Sequence, residues 1–344
     1  MDFRSLNIRR MSELDRLPWF EKNPSGELRL KSAAGVPPVL DIHSHVGWSY
    51  GFARPVDYRA RNRLSYLYDY EVDQDVLFEE RHPFPDEQKQ LGKEINSSPY
   101  RLAPSAATHT AANFTAEMDR FNVQHACLLP IEGPILSRHA EDTMRASAFD
   151  ARFIPFAAVF PWPWGRRKIE RLINLRSRGA KAVKVHPEFQ FIAADHPHQL
   201  KLFGWCADNG VPVLAHCGYT GAEPAWLRAK AEPDRFRAAL RNFPKLQLLL
   251  AHTGLSKRVE TLAVARDFPN QVWLDISGQC APDLKMILDK FDRDRICFGS
   301  DWPFYPLVVA LARSLVATES CPDYRTHLLF NNGARFLGLN PKPD

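Results

Sequence analysis

From residue 36 onward the chain alternates short, continuously apolar runs with longer amphipathic stretches. The runs are VLDIH (39–43), HACLLP (125–130), FIPFAAVF (153–160), AKAVKVH (180–186), VPVLAH (211–216), LQLLLAH (247–252), VWLDIS (272–277) and RICFGSD (295–301). Strand-length pieces that are apolar throughout are buried on both faces, as in a parallel sheet. Between them, RRKIERLINLRSRG (166–179) repeats Ile and Leu at helical spacing and closes on Gly, a helix-stop signal. HQLKLFGWCADNG (198–210), DRFRAALRNFP (234–244) and APDLKMILDKF (281–291) read the same way. Eight strands alternating with helices predict an α/β fold, a closed (β/α)8 TIM barrel. An open doubly wound sheet is the runner-up, and its Gly-rich phosphate fingerprint is missing.

Two segments break the repeat. Residues 1–35 form a polar N-terminal extension, and residues 47–110 a long insertion after the first strand, rich in Tyr, Arg, Pro and acidic residues. The expected organisation is therefore an extension followed by one barrel over 36–344. A loop as long as 47–110 either carries function or builds helices of its own; DYRARNRLSY (57–66) is expected to be a solvated helix face.

Composition narrows the function classes. The net charge of +5 comes from 45 basic and 40 acidic residues that are interspersed, so no basic stripe argues for nucleic acid. No apolar stretch approaches the ~18 residues of a membrane span, and the N-terminus lacks the apolar core of a secretory signal. Six scattered cysteines with no CxxC read as reduced thiols of a cytoplasmic protein.

The ends of the runs carry the chemistry. The first ends in His43 and His45, the fourth in Lys184 and His186, the fifth in His216, the sixth in His252 and the eighth in Asp301. In a (β/α)8 barrel such ends meet at one rim. Five of the twelve histidines fall there, which scatter does not explain. Each has a plainer reading: a hydrogen-bonded strand end for His43 and His45, a satisfied core histidine for His216, a turn or helix cap for Asp301. Together, neutral imidazoles and a carboxylate make a site suited to Zn²⁺, with Mn²⁺, Fe²⁺ or Co²⁺ as alternatives.

DIHSH, VKVHPEFQ, PVLAHCG, LLLAHTG and CFGSDWPF, in that order, resemble the amidohydrolase superfamily. The closest branch is the amidohydrolase-related group that includes aminocarboxymuconate-semialdehyde decarboxylase and related hydrolases. The resemblance implies one divalent metal held by His43, His45, His216 and Asp301. It makes Asp301 a proton shuttle as well and His252 the residue that positions or activates water. Lys184 takes the place of the carboxylated lysine of two-metal relatives. The expected activity is hydrolysis of an amide, ester or lactone in a small molecule. The alternatives are decarboxylation of an unsaturated or aromatic acid, and an inert barrel that keeps its metal for stability. Candidate substrate contacts, a carboxylate included, are Lys184, His186, Trp48, Arg54 and Trp162. A homodimer is implied by the family alone.

Overall fold

The computed structural model describes residues 2–47, 51–97, 100–134, 137–219 and 223–341. A short antiparallel hairpin, β1 (Phe20–Lys22) with β2 (Leu28–Leu30), precedes eight parallel strands. These are β3 (Val39–Ser44), β4 (Val123–Leu128), β5 (Phe153–Pro155), β6 (Val183–Val185), β7 (Val213–Ala215), β8 (Leu248–Leu250), β9 (Val272–Asp275) and β10 (Ile296–Cys297). Each begins inside or within two residues of one of the eight apolar runs. One sheet has the order β3-β4-β5 and the other β10-β9-β8-β7-β6.

Backbone hydrogen bonds join the two sheets at both seams. Ala157 N–H donates to Ala182 O and Lys184 N–H to Ala157 O, each at 2.8 Å. On the other side Ile42 N–H reaches Phe298 O at 3.0 Å and Asp301 N–H reaches His43 O at 2.7 Å. The ring is a closed (β/α)8 barrel.

Helix α1 (Pro85–Ser97) lies in the insertion. The outer layer comprises α2 (Ala111–Arg120), α3 (His139–Ser147), α4 (Arg166–Ser177), α5 (Pro197–Asp208), α6 (Ala225–Arg228), α7 (Phe236–Asn242), α8 (Arg258–Asp267), α9 (Ala281–Lys290) and α10 (Leu307–Ala317). Short α11 (Asn332–Phe336) ends the fold. The four helices expected from periodicity are present. Residues 57–66, expected to be helical, are not. Their backbone bonds instead to α2 and the residue capping it: Ala112 N–H to Tyr58 O at 3.1 Å and Thr110 Oγ1–H to Ala60 O at 2.7 Å.

Strand side chains alternate between two apolar layers. Val183, Val213, Leu248 and Val272 pack with helix residues such as Leu172, Phe203 and Leu284. Ala182, Leu214, Leu249, Trp273 and Cys297 form the barrel interior, plugged at one end by Phe330 and Phe336. Counting in twos from the interior set reaches Lys184 and His186, His216, Ala251, Asp275 and Asp301. On β3, Leu40 and Ile42 are interior. One extra residue between Asp41 and Ser44, opposite Ala126–Leu128, is a bulge that shifts the phase. It turns His43 and His45 inward as well.

The extension is no loose tail. Leu14, Leu17 and Phe20 are fully buried in the main core. Val76 N–H bonds Ile8 O at 3.1 Å and Met11 N–H bonds Tyr70 O at 2.7 Å, so the extension holds the insertion in place around residues 8–11. The insertion in turn supplies Leu67, Tyr68, Leu91, Ala103 and His109 to the wall of a cavity at the C-terminal rim.

Candidate active site

That cavity has a volume of about 580 Å³ and a largely apolar wall. At its floor lie His43, His45, Lys184, His186, His216, His252 and Asp301, all buried. Every rim residue expected from the strand ends is therefore in one place. Among the proposed substrate contacts, Lys184 and His186 line the cavity. Arg54 is exposed and Trp162 is 55% exposed, and neither belongs to the described wall; their loops turn these side chains to solvent. Trp48 lies outside the described residues.

Asp301 is the meeting point. Its Oδ1 is 3.4 Å from His43 Nε2 and 3.3 Å from His45 Nε2. Two ties to β3 place it there. Asp41 Oδ1 accepts the Ser300 N–H at 2.9 Å, and Asp301 N–H donates to His43 O at 2.7 Å. Asp301 itself takes a left-handed φ of 57°, uncommon for a residue other than glycine.

Hydrogen-bond partners fix the tautomers. His45 Nδ1 lies 2.7 Å from the carbonyl of Leu129, which can only accept. Nδ1 therefore carries the hydrogen and Nε2 is a bare lone pair. His43 Nδ1 lies 2.9 Å from Asp275 Oδ2. That carboxylate already accepts backbone N–H bonds from His252 at 2.9 Å and Ser277 at 3.0 Å, so His43 is also protonated on Nδ1. Two imidazole lone pairs thus face a carboxylate oxygen. Burial holds the His43 and His45 imidazoles well below the usual histidine range, in their ligating form. Burial also pushes the Asp301 carboxyl up to about 8, opposed by Lys184. Acceptors gathered around one point, buried and facing each other, fit a cation.

Lys184 Nζ is 3.0 Å from His43 Nε2. Burial pulls its amine down to about 8, so it is a hydrogen-bonding partner of the cluster as well as a charge. His252 sits in a left-handed turn, φ 59°, followed by Thr253 at φ 44°. Asp275 pins that turn through the His252 N–H and through its own carbonyl, which accepts from Thr253 Oγ1 at 2.7 Å. Donor atoms of His43, His252 and Asp301 lie within 4.8 Å of one another.

His216, expected as the fourth ligand, has Nδ1 3.1 Å from His252 Nε2 and Nε2 3.5 Å from Glu188 Oε2. Two residues of the site went unnoticed in the sequence. Asp275 ends the seventh run on the interior phase and could have been found by counting in twos. Glu188 lies in the loop after β6, where no periodicity marks it.

The sequence profile of the amidohydrolase family (Amidohydrolase) matches residues 41–339. The chain belongs to the amidohydrolase family. It is an enzyme of that family's metal-dependent hydrolase or decarboxylase kind. No curated protein matches it. Among solved structures it is similar to 5-carboxyvanillate decarboxylase from Sphingomonas paucimobilis, at 14% identity over 88% of this chain and 99% of that one, TM-score 0.61. A probable 2-pyrone-4,6-dicarboxylic acid hydrolase from Acinetobacter baumannii, with citric acid bound, shares 14% identity over 88% and 100%, TM-score 0.54. The 5-carboxyvanillate decarboxylase of Novosphingobium aromaticivorans, complexed with manganese and 4-hydroxy-3-methoxy-5-nitrobenzoic acid, shares 17% over 66% and 79%, TM-score 0.53. At these identities the likeness is one of fold.

Proposed function

We propose that this amidohydrolase is a metal-dependent hydrolase of a small, largely apolar amide, ester or lactone. The observation that carries the metal is the pair of tautomer-locked Nε2 atoms of His43 and His45 at 3.4 and 3.3 Å from Asp301 Oδ1. His43, His45, His216 and Asp301 would hold the ion. A catalytic metal site of this kind keeps a position open for water and substrate. Bound there, a divalent cation would supply Lewis-acid polarisation of a substrate carbonyl and lower the pKa of a water molecule. The donor set suits zinc, and the manganese of the Novosphingobium relative keeps that ion in view.

The chain's own groups then do the following. His252, held by Asp275 and by Ser277 Oγ at 2.7 Å from its Nδ1, orients the attacking water. Lys184 brings a positive charge against the oxygen that becomes anionic as the carbonyl is attacked. Asp301 carries the proton toward the leaving group. Phe189, Tyr68, Phe304 and Leu227 on the wall exclude bulk water.

Charge on the wall favours hydrolysis over decarboxylation. Apart from histidines, the described charged lining is Lys184 against Glu94, Glu188, Glu223 and Asp301. Even with Asp301 neutralised by the ion, a carboxylate substrate would meet three acids and one base among the described lining residues. Decarboxylation is the second reading, kept because one lysine and a cation together can seat one carboxylate. A panel of neutral aryl esters and lactones beside aromatic acids, assayed with zinc or manganese and after chelation, tests the choice. Metal-dependent loss of carbon dioxide from an acid, with every ester inert, would reverse it.

A further inference from the structure

The turn that carries His252 is held by residues behind the cavity wall. His252 and Thr253 take left-handed backbone angles, φ 59° and 44°, and Leu255 follows at φ 49°. Side chains with a Cβ resist this region, and such a turn persists only where its surroundings over-determine it. Asp275 secures the N–H side of His252. The carbonyl of His252 accepts from the Leu255 N–H at 3.0 Å and from Gln279 Nε2–H. Gln279 lies between β9 and α9 and is buried.

The Gln279 amide can stand only one way round. Its Oε1 is 2.7 Å from Arg258 Nε, and an arginine nitrogen only donates. The amide nitrogen is thereby left for the His252 carbonyl, which only accepts. The backbone of Gln279 is held too: its carbonyl accepts from Arg313 Nη1 at 3.4 Å.

Both arginines reach on to the insertion. Arg258 Nη2 lies 3.3 Å from Glu80 Oε2 and 2.8 Å from Asp283 Oδ2. Arg313, itself buried, donates through Nε to Val76 O at 2.8 Å and through Nη2 to Glu79 O at 2.9 Å. Ala281 N–H adds a bond to Leu77 O at 2.9 Å. Residues 76–80 are thus knitted to 279–281. The same insertion lends Leu67 and Tyr68 to the cavity wall.

We infer that Gln279 is a positioning residue for His252, and the link through which the seating of the insertion sets where that imidazole points. The inference rests on the water-orienting role given to His252 above. A ring held on a strained turn moves when one of the bonds defining the turn is lost. Losing the Gln279 donor would misplace the water in the transition state more than it weakens binding of substrate.

The test is steady-state kinetics of the full-length, zinc-loaded enzyme on an ester or lactone that it turns over, with zinc content and unfolding midpoint measured beside it. Gln279→Glu keeps the shape and the acceptor for Arg258, and loses the donor to His252. It is expected to lower kcat about 10–100-fold with KM within about twofold, at native zinc content and with cooperative unfolding. Glu80→Ala is expected to lower kcat severalfold in the native chain and to have no further effect in Gln279→Glu, the non-additivity of residues acting in one chain. Should Gln279→Glu not fold, Gln279→Met is expected to give the same split. A native kcat in Gln279→Glu, or additive losses in the double variant, overturns the inference. His252→Ala separates the two levels: a kcat lost there but kept in Gln279→Glu sinks Gln279 alone, and a native kcat in His252→Ala sinks the role of His252 with it. Should the native enzyme only release carbon dioxide from acids, hydrolysis falls, and the same comparison on that reaction decides Gln279.

Discussion

Asp275 Oδ2 lies 2.9 Å from His43 Nδ1, and this contact sets the direction in which His43 offers its lone pair. Both groups are fully buried, so water cannot replace the bond. Asparagine at 275 can still accept through one atom but presents an N–H₂ that repels the other donors. Asp275→Asn is expected to weaken metal binding about 10–100-fold while the barrel stays folded. Competition with a chromophoric chelator measures it; an unchanged affinity would deny Asp275 this positioning role.

Gly47 sits where the rim of β3 passes into the insertion. A Cβ there would lie 2.1 Å from Ala106 O and 3.2 Å from the His109 side chain. Gly47→Ala must push the insertion off the rim, at a cost of about 1–3 kcal/mol. Gly92, in α1, has nothing within 4 Å of such a Cβ, so Gly92→Ala should stabilise by about 0.5–1 kcal/mol. Denaturant titration of the two variants checks both signs.

These positions show what the sequence could and could not convey. Burial of a parallel strand on both faces leaves an apolar run, so all eight strands were legible, and so were the polar residues that interrupt their ends. The phase of β3 was not, because the bulge between Asp41 and Ser44 depends on pairing with β4. His43 and His45 were nevertheless recognisable as a pair, since i and i+2 share a face wherever the strand points. Residues 57–66 looked helical by composition, yet their shape is set by Thr110 and Ala112, about fifty positions away. Arg54 and Trp162 failed as pocket residues for the same reason: which way a loop side chain turns is decided by distant packing. Glu188 follows His186 by two residues in a loop, and only its approach to His216 Nε2 at 3.5 Å gives it meaning.

Trp226 and Phe191 stand at the cavity mouth with their rings stacked at 5.8 Å and 14°. They are 60% and 48% exposed, an unusual place for two large apolar side chains unless an apolar ligand passes them. Trp226→Ala is expected to raise KM for an apolar substrate severalfold and to leave kcat within about twofold, the signature of lost binding shared by ground and transition states. A fall in kcat at constant KM would instead place the ring against the reacting atoms.

His109 gives the fold a pH dependence of known sign. It is buried, and its Nε2–H donates to Ser65 O at 2.7 Å, tying the insertion to the start of α2. Burial lowers its pKa to about 4, from an ordinary value of 6.5. The unfolded chain therefore binds a proton below about pH 6.5 that the folded chain refuses until about pH 4. Its contribution to stability is complete above pH 6.5 and is lost as pH falls toward 4. At pH 5 the loss from this one group is about 2 kcal/mol. Urea titrations of chelator-treated protein at pH 7 and pH 5 should show His109→Gln losing about 2 kcal/mol less between the two than the native chain. Gln keeps a donor for Ser65 O but has no proton to gain, so equal losses in the two proteins would mean that His109 does not titrate over this range.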